Sequence, residues 1–172
     1  MEFSFTPHQD SQDIDVPFIE DARADFAPYY DIRSKTVADA QREMMMEMSK
    51  LGAMVTQVVA GAFESDGMRR HGFEIRFFYD GVQGMMRVAG LPMRSHQTDT
   101  KIAKVQIQAL LNVRDWAKSA VTAKVFSPGH DPLIGHILLP DGSGRTIADY
   151  VRTQKHMPML SGGSSNGIVI EK

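Results

Sequence analysis

Phe73-Glu-Ile-Arg-Phe-Phe-Tyr79, then Asp80-Gly81, then Val82-Gln-Gly-Met-Met-Arg-Val-Ala-Gly-Leu91 is the stretch that decides the fold. Phe73, Ile75, Phe77 and Tyr79 alternate with Glu74, Arg76, Phe78 and Asp80, the period-two pattern of a strand with one face buried. Asp-Gly between two such runs predicts a two-residue hairpin, because both central positions of a type I′ turn need φ > 0. Gly84 and Gly90 interrupt the returning strand, where a bulge or a close backbone approach is expected, and Pro92 ends it.

Upstream, Met54-Val-Thr-Gln-Val-Val-Ala60 is rich in β-branched residues and predicts a further strand. The polar, glycine-punctuated run over 64–72 then reads as a loop. A helix precedes the strands over about 37–51: Thr36 and Asp39 form a capping pair, and Val37, Ala40, Met44, Met48 and Leu51 recur at helical spacing before Gly52. Downstream, the spacing predicts a long helix over about 98–125. Ile102, Val105, Ala109, Val113, Trp116 and Ala120 line its core stripe, with Leu110, Ala117 and Val121 beside it. Leu133-Ile-Gly-His-Ile-Leu-Leu139 is apolar but too short for periodicity to choose helix or strand. Thr146 and Asp149 open a short last helix through about Gln154.

The pattern as a whole is α+β: a helix, a three-stranded antiparallel sheet and a long helix, with a short C-terminal helical extension. Residues 1–34 read as an acidic tail, 35–155 as the domain and 156–172 as a flexible Gly/Ser-containing tail. The tail carries two apolar patches, around Phe18 and around Phe26 and Tyr29, which fit either packing on the body or docking on a partner. At 172 residues, 42% hydrophobic and 23% charged, the chain is long enough to bury a real core. No apolar run reaches the ~20 residues of a membrane span. Met-Glu-Phe-Ser-Phe-Thr-Pro at the start lacks the basic and apolar regions of a secretory signal. The lack of cysteine excludes disulfides and thiol catalysis and fits a cytoplasmic setting.

Net charge is only −2, but it is uneven. Residues 1–34 hold eight acids against Arg23 and Arg33, a net of −6, which leaves +4 on the rest. A mildly basic body can approach a polyanion. Arg69, Arg70, Arg76, Arg87, Arg94, Lys101 and Lys104 are the candidate phosphate contacts, with Phe78 as the aromatic on which a base could stack. Each of them is also readable as an ordinary surface residue. Met44, Met45, Met46 and Met48 sit on the first helix, and three consecutive methionines span most of its circumference. At least one should leave the core and offer an adaptable surface to a protein partner or a second copy.

Leu139-Pro-Asp-Gly-(Ser-Gly)-Arg-Thr146, together with Lys50-Leu-Gly-Ala53, Gly90-Leu-Pro92 and Trp116, resembles a series found in small uncharacterised proteins of phages and other mobile elements. The resemblance covers roughly 36–151 and implies a fold and a setting, without a biochemical role. Helix, three strands, helix is also similar in order to the double-stranded-RNA-binding domain. That likeness implies phosphate contacts by Lys101 and Lys104 at the opening of the long helix and by Arg69, Arg70 and His71 before the second strand. Asp99 and the lack of a glycine-rich approach depart from that pattern.

No His-Glu-x-x-His spacing, phosphate-binding loop or dinucleotide fingerprint occurs. His130, Asp131 and His136 are the nearest approach to a cluster, read as loop hydrogen bonding. Gly163-Ser-Ser165-Asn-Gly167 matches a nucleophile elbow in letters but lacks the strand and helix that motif needs. The expectation is no catalytic residue, no metal and no cofactor. The leading reading is a non-enzymatic phage or mobile-element protein that binds nucleic acid through phosphates. The alternative is a protein–protein adaptor, inhibitor or assembly subunit using the acidic tail and the Met-rich helix.

Overall fold

The computed structural model describes residues 16–23, 28–29, 31–65, 68–94, 97–127 and 129–155. They form an α+β arrangement: α1 (Val37–Lys50), β1 (Ala53–Ser65), β2 (Met68–Tyr79), β3 (Val82–Ala89), α2 (Asp99–Phe126), a 3-10 turn (Ile134–His136) and α3 (Ile147–Lys155). Thr36 caps α1 reciprocally with Asp39: the Asp39 N–H donates to Thr36 Oγ1 at 3.1 Å, and the Thr36 N–H to Asp39 Oδ2 at 3.3 Å. The same device starts α3 at Thr146 and Asp149.

The sheet is antiparallel in the order β1-β2-β3. Asp80 (φ 48°) and Gly81 (φ 75°) make the tight β2–β3 turn that their side chains permit. Phe73, Ile75 and Phe77 are buried on the inner face, packed with Met86 and with α1 and α2. Gly84 lets Phe77 lie flat against β3, since a Cβ there would fall 2.4 Å from its ring. α1 packs against β1 and α2, and α2 packs against β2 and β3. All helices of the core therefore lie on one side.

Two expectations need correction. The run over 64–72 is strand: Phe63 pairs with Arg70, Glu64 with Arg69 and Ser65 with Met68. Only two residues separate Ser65 from Met68, and they read Asp66-Gly67, the same hairpin signal as Asp80-Gly81. The β2–β3 pairing stops at Gly72–Ala89, so β1 and β2 run on as a two-stranded arm. Polar residues there reflect exposure on two faces rather than irregular backbone.

Second, the described part of residues 1–34 packs on the body rather than trailing from it. Ala22 is buried, the Ile19 N–H donates to the Pro92 carbonyl at 2.9 Å, and Tyr29 packs against the core. Gln108, 2% exposed in mid-α2, accepts from the Leu91 N–H at 2.9 Å and donates to the Pro28 carbonyl at 3.1 Å. With the sheet, α1 and this segment around it, α2 buries five consecutive residues, Ile107 to Leu111, where one apolar stripe was expected.

Leu133 to Leu139, where periodicity does not choose between helix and strand, forms a 3-10 turn over Ile134–His136 and then isolated bridges, Ile137 to Gly84 at the β3 edge and Leu138 to Thr146 ahead of α3. Trp116 is half-buried on the core, its ring edge-on to His136 at 5.8 Å. The C-terminal tail over 156–172, with the Gly163–Gly167 run, lies outside the described residues, as do 1–15, Phe26, Tyr30 and His96.

Candidate functional site

The eight residues proposed for phosphate and base contacts do not form one face. Arg76, Phe78 and Arg87 share the sheet face opposite α1 and α2, where α3 stands beside Arg87 and Met85 is buried. Cross-strand rows place Met54, Phe78 and Gln83 together, then Gln57, Arg76 and Met85, then Val59, Glu74 and Arg87. Phe78 is half-buried, and Met54 and Val59 are exposed beside this row. Both arginines converge on Glu74, Arg76 at 2.8 Å and Arg87 at 3.2 Å. The Arg76 hydrogen bond, with Arg87 adding to it, holds the Glu74 carboxyl below its ordinary range against the opposing effect of burial.

Arg94, Lys101 and Lys104 lie elsewhere, around the opening of α2, where the acidic N-terminal segment covers them. Arg94 pairs with Asp21 and stacks over the Phe18 ring at 5.3 Å. Lys101 pairs with Glu20 at 3.0 Å and Lys104 with Asp31 at 3.2 Å. Burial raises the Glu20 carboxyl, but the Lys101 hydrogen bond and two backbone N–H groups outweigh it, so the net shift is downward. Asp31 is also held down, by Arg33 and then Lys104. Exposed and half-exposed pairs like these add little to stability. Their consequence is electrostatic: the cations of this patch already have carboxylates as counter-ions.

Arg69 and Arg70 sit in β2 on the arm. Arg70 donates to the Gly90 carbonyl at 2.9 Å, and His71 Nε2 lies 2.8 Å from Gln97. Arg69 is exposed and has no carboxylate partner among the described residues.

The four methionines of α1 also divide. Met44 and Met48 are fully buried in the core, so they offer nothing to a partner. They share a face with Ala40 at i, i+4 spacing and with Leu51 at i+3, and that face belongs to the side of α1 that packs on α2 and β1. Met45 and Met46, 37% and 55% exposed, lie on the opposite side. There they line a shallow groove of about 450 Å³ with Ala38, Gln41, Arg42 and Ser49. Arg42 in this groove is paired with Asp39.

Next to that groove is a feature the residue pattern did not single out. β1 is 13 residues long and forms the sheet edge, and its outer side has no strand partner among the described residues. From Ala53 to Phe63 it carries no charge and no proline. The only irregularity is a register shift between Val55 and Gln57. Edge strands are ordinarily blunted by lysine, proline, bulges, inward charge or cover, and beyond the shift at Val55 and Gln57 β1 has no bulge, proline or charge up to Phe63. Nothing in a strand's own sequence says which position in the sheet it will take, so this was legible only from the topology.

Two clefts remain. One of about 190 Å³ lies between β3 and α3, with Arg87, His136, Asp149 and Arg152 on its walls. Burial, and then Arg152, depress the His136 imidazole, while Asp149 opposes them. Backbone and side-chain hydrogen bonds from Thr146 hold the Asp149 carboxyl down, with Arg152 adding a smaller effect. The other, about 280 Å³, is lined by the paired charges Glu20, Asp31, Lys101 and Lys104. Among the described residues no group of three or more His, Asp or Glu is placed to hold a metal ion, and no helix is long and apolar enough to cross a membrane. The chain matches no family profile, no curated protein and no solved structure.

Proposed function

We propose that this chain is a protein-interaction module without chemistry of its own, a subunit of a larger assembly that works through the flank formed by β1 and the exposed side of α1. The observation that carries this reading is the β1 edge: 13 residues, unpaired on its outer side among the described residues and uncharged from Ala53 to Phe63. An edge of that length and neutrality is a template for a further strand. The exposed Met45 and Met46 beside it add adaptable apolar surface. The setting in a phage or mobile element, and in the cytoplasm, rests on the sequence alone. Affinity capture from a host extract tests the reading, with the wild-type chain and Val59→Lys run side by side. A discrete protein, or added untagged copies of the chain itself, retained by the first and lost by the second supports it. Equal capture by both contradicts it.

A second reading is favoured by the outer sheet face, where Phe78 lies between exposed Met54 and Arg76. An aromatic on an open sheet with flanking arginines can stack a base and contact phosphate, which would make the chain a single-strand nucleic-acid binder. Glu74 weighs against it, since both arginines already hold that carboxylate. Fluorescence anisotropy of labelled single- and double-stranded DNA and RNA at two salt concentrations decides. Saturable, salt-sensitive binding that Phe78→Ala and Arg76→Glu remove favours nucleic acid, and no binding at low salt ends that reading.

A further inference from the structure

We infer that the occupant of the β1–α1 flank is a second copy of this chain, joined about a two-fold axis through antiparallel β1–β1 pairing. The inference rests on the interaction-module reading and names its partner. Two observations carry it, and a third sets its strength.

The first is charge. An isologous contact places a patch against itself, so any net charge on the patch meets its own sign. β1 is neutral from Ala53 to Phe63, and the one cation in the α1 groove, Arg42, is paired with Asp39. The flank therefore faces its own copy without repulsion, and it offers nothing to steer a charged partner of another kind.

The second is geometry. α1 packs against β1 at the sheet edge. α1 is about 21 Å long and runs back along only the first half of β1, so a two-fold axis perpendicular to the sheet near Ala60 puts the two α1 helices on the same face of the joined sheet, one on either side of the axis. Each helix then flanks the partner copy's β1 over the exposed stretch from Ala60 to Ala62, so one operation covers the unpaired strand edge and gives the outer flank of α1 a neighbour. A single added strand from another protein would cover the edge and leave the methionines in water. The regular part of β1, after the register shift at Val55 and Gln57, is centred near Ala60. Pairing about Ala60 sets Gln57 against Phe63 and keeps Glu64 away from its copy.

The third is size. Thirteen residues at ~3.3 Å each make an edge about 43 Å long. A strand edge about 5 Å wide over that length, with about 21 Å of α1 at about 10 Å diameter beneath it, presents on the order of 400 Å² per protomer. That is below the roughly 600–1,000 Å² per partner of standard interfaces, so the dimer is a weak one that forms at high concentration. The joined sheet would have six strands, with both outer faces on one side.

The test is sedimentation equilibrium of the full chain over a concentration series, combined with a cysteine scan. The expected mass at high concentration is twice the 19.2 kDa of the chain. Val59→Lys on the strand and Met46→Glu on the helix should each raise the dimer dissociation constant at least tenfold, with far-UV circular dichroism unchanged. Because the chain has no cysteine, single cysteines placed from 57 to 63 report position cleanly. Each one-residue step from the axis adds about 6.6 Å to the separation of equivalent positions, so disulfide cross-linking should peak at one position near 60. A monomer at all concentrations overturns the inference, and so does a dimer that cross-links at no position in the scan. Either result leaves the interaction-module reading to its own capture experiment, where a different protein can still be retained through Val59.

Discussion

Replacing Gln108 by leucine separates a docked N-terminal segment from a trailing one. Gln108 is 2% exposed and links two chain segments to α2 through the Leu91 N–H and the Pro28 carbonyl. Leucine has similar volume but neither donor nor acceptor. The Leu91 N–H then loses its partner in a half-buried site, at about 1–3 kcal/mol. Pro28 is exposed, so its carbonyl can turn to water and costs less than about 1 kcal/mol. The expected loss is about 2–3 kcal/mol, which lowers Tm by about 4–12 °C for a chain of this size. Urea denaturation followed by tryptophan fluorescence measures it, since Trp116 lies on the same helix. Limited trypsinolysis at Arg23 should accelerate in the same variant. A change below about 0.5 kcal/mol, with Arg23 cleaved no faster, would refute the idea that this segment belongs to the folded body.

Other substitutions probe the remaining parts. Arg114 is mostly buried and joins Glu43, Asp115 and the Tyr29 hydroxyl, so Arg114→Met should cost about 2–3 kcal/mol in urea denaturation. Lys35 and then Arg114 hold the Glu43 carboxyl down, while at Asp115 the bonds to Arg114 and Tyr29 overcome an opposing burial effect. Both folded-state pKa values lie below the unfolded ones. Their contribution is therefore complete above about pH 4.5, is lost as pH falls through the folded values, and shows a shallower acid slope in Arg114→Met. Gly61 and Gly72 are cross-strand partners with opposite tolerance: a Cβ on Gly72 would lie 1.9 Å from the Val88 carbonyl oxygen, and one on Gly61 meets nothing within 4 Å. Thermal melts should show Gly72→Ala destabilised by more than about 2 kcal/mol and Gly61→Ala nearly unchanged. Swapping the charges within each pair, K101E with E20K and K104E with D31K, should leave anisotropy with any polyanion within twofold, because each pair stays neutral.

The elements were legible where one rule dominated. The capping pair Thr36 and Asp39, the Asp80-Gly81 turn and the alternation from Phe73 to Tyr79 each have a local cause, and each stands where it was expected. The arm was misread because polar composition was weighed above a second Asp-Gly signal at 66–67. The position of residues 16–33 was not legible: the partners of Glu20, Asp21 and Asp31 are about 70–80 residues away, and no periodicity relates them. For the same reason the cations of α2 looked free in sequence and are neutralised in space. Met44 and Met48 were separable from Met45 and Met46 by helical phase, yet only the packing of α1 against α2 and β1 says which side is inside. The edge position of β1 follows from strand order, which short-range pattern does not encode.

Sedimentation velocity of the full chain mixed with a labelled 20-nucleotide single strand, at low salt, tests the proposed working surface most directly. Protein mass and oligonucleotide movement are read in the same run. The expected result is a protein that sediments as a dimer while the oligonucleotide stays behind, and a monomer when Val59→Lys replaces the wild type. A protein that stays monomeric and carries the oligonucleotide with it would contradict the β1–α1 flank as the working surface and move the function to Phe78 and the outer face of the sheet.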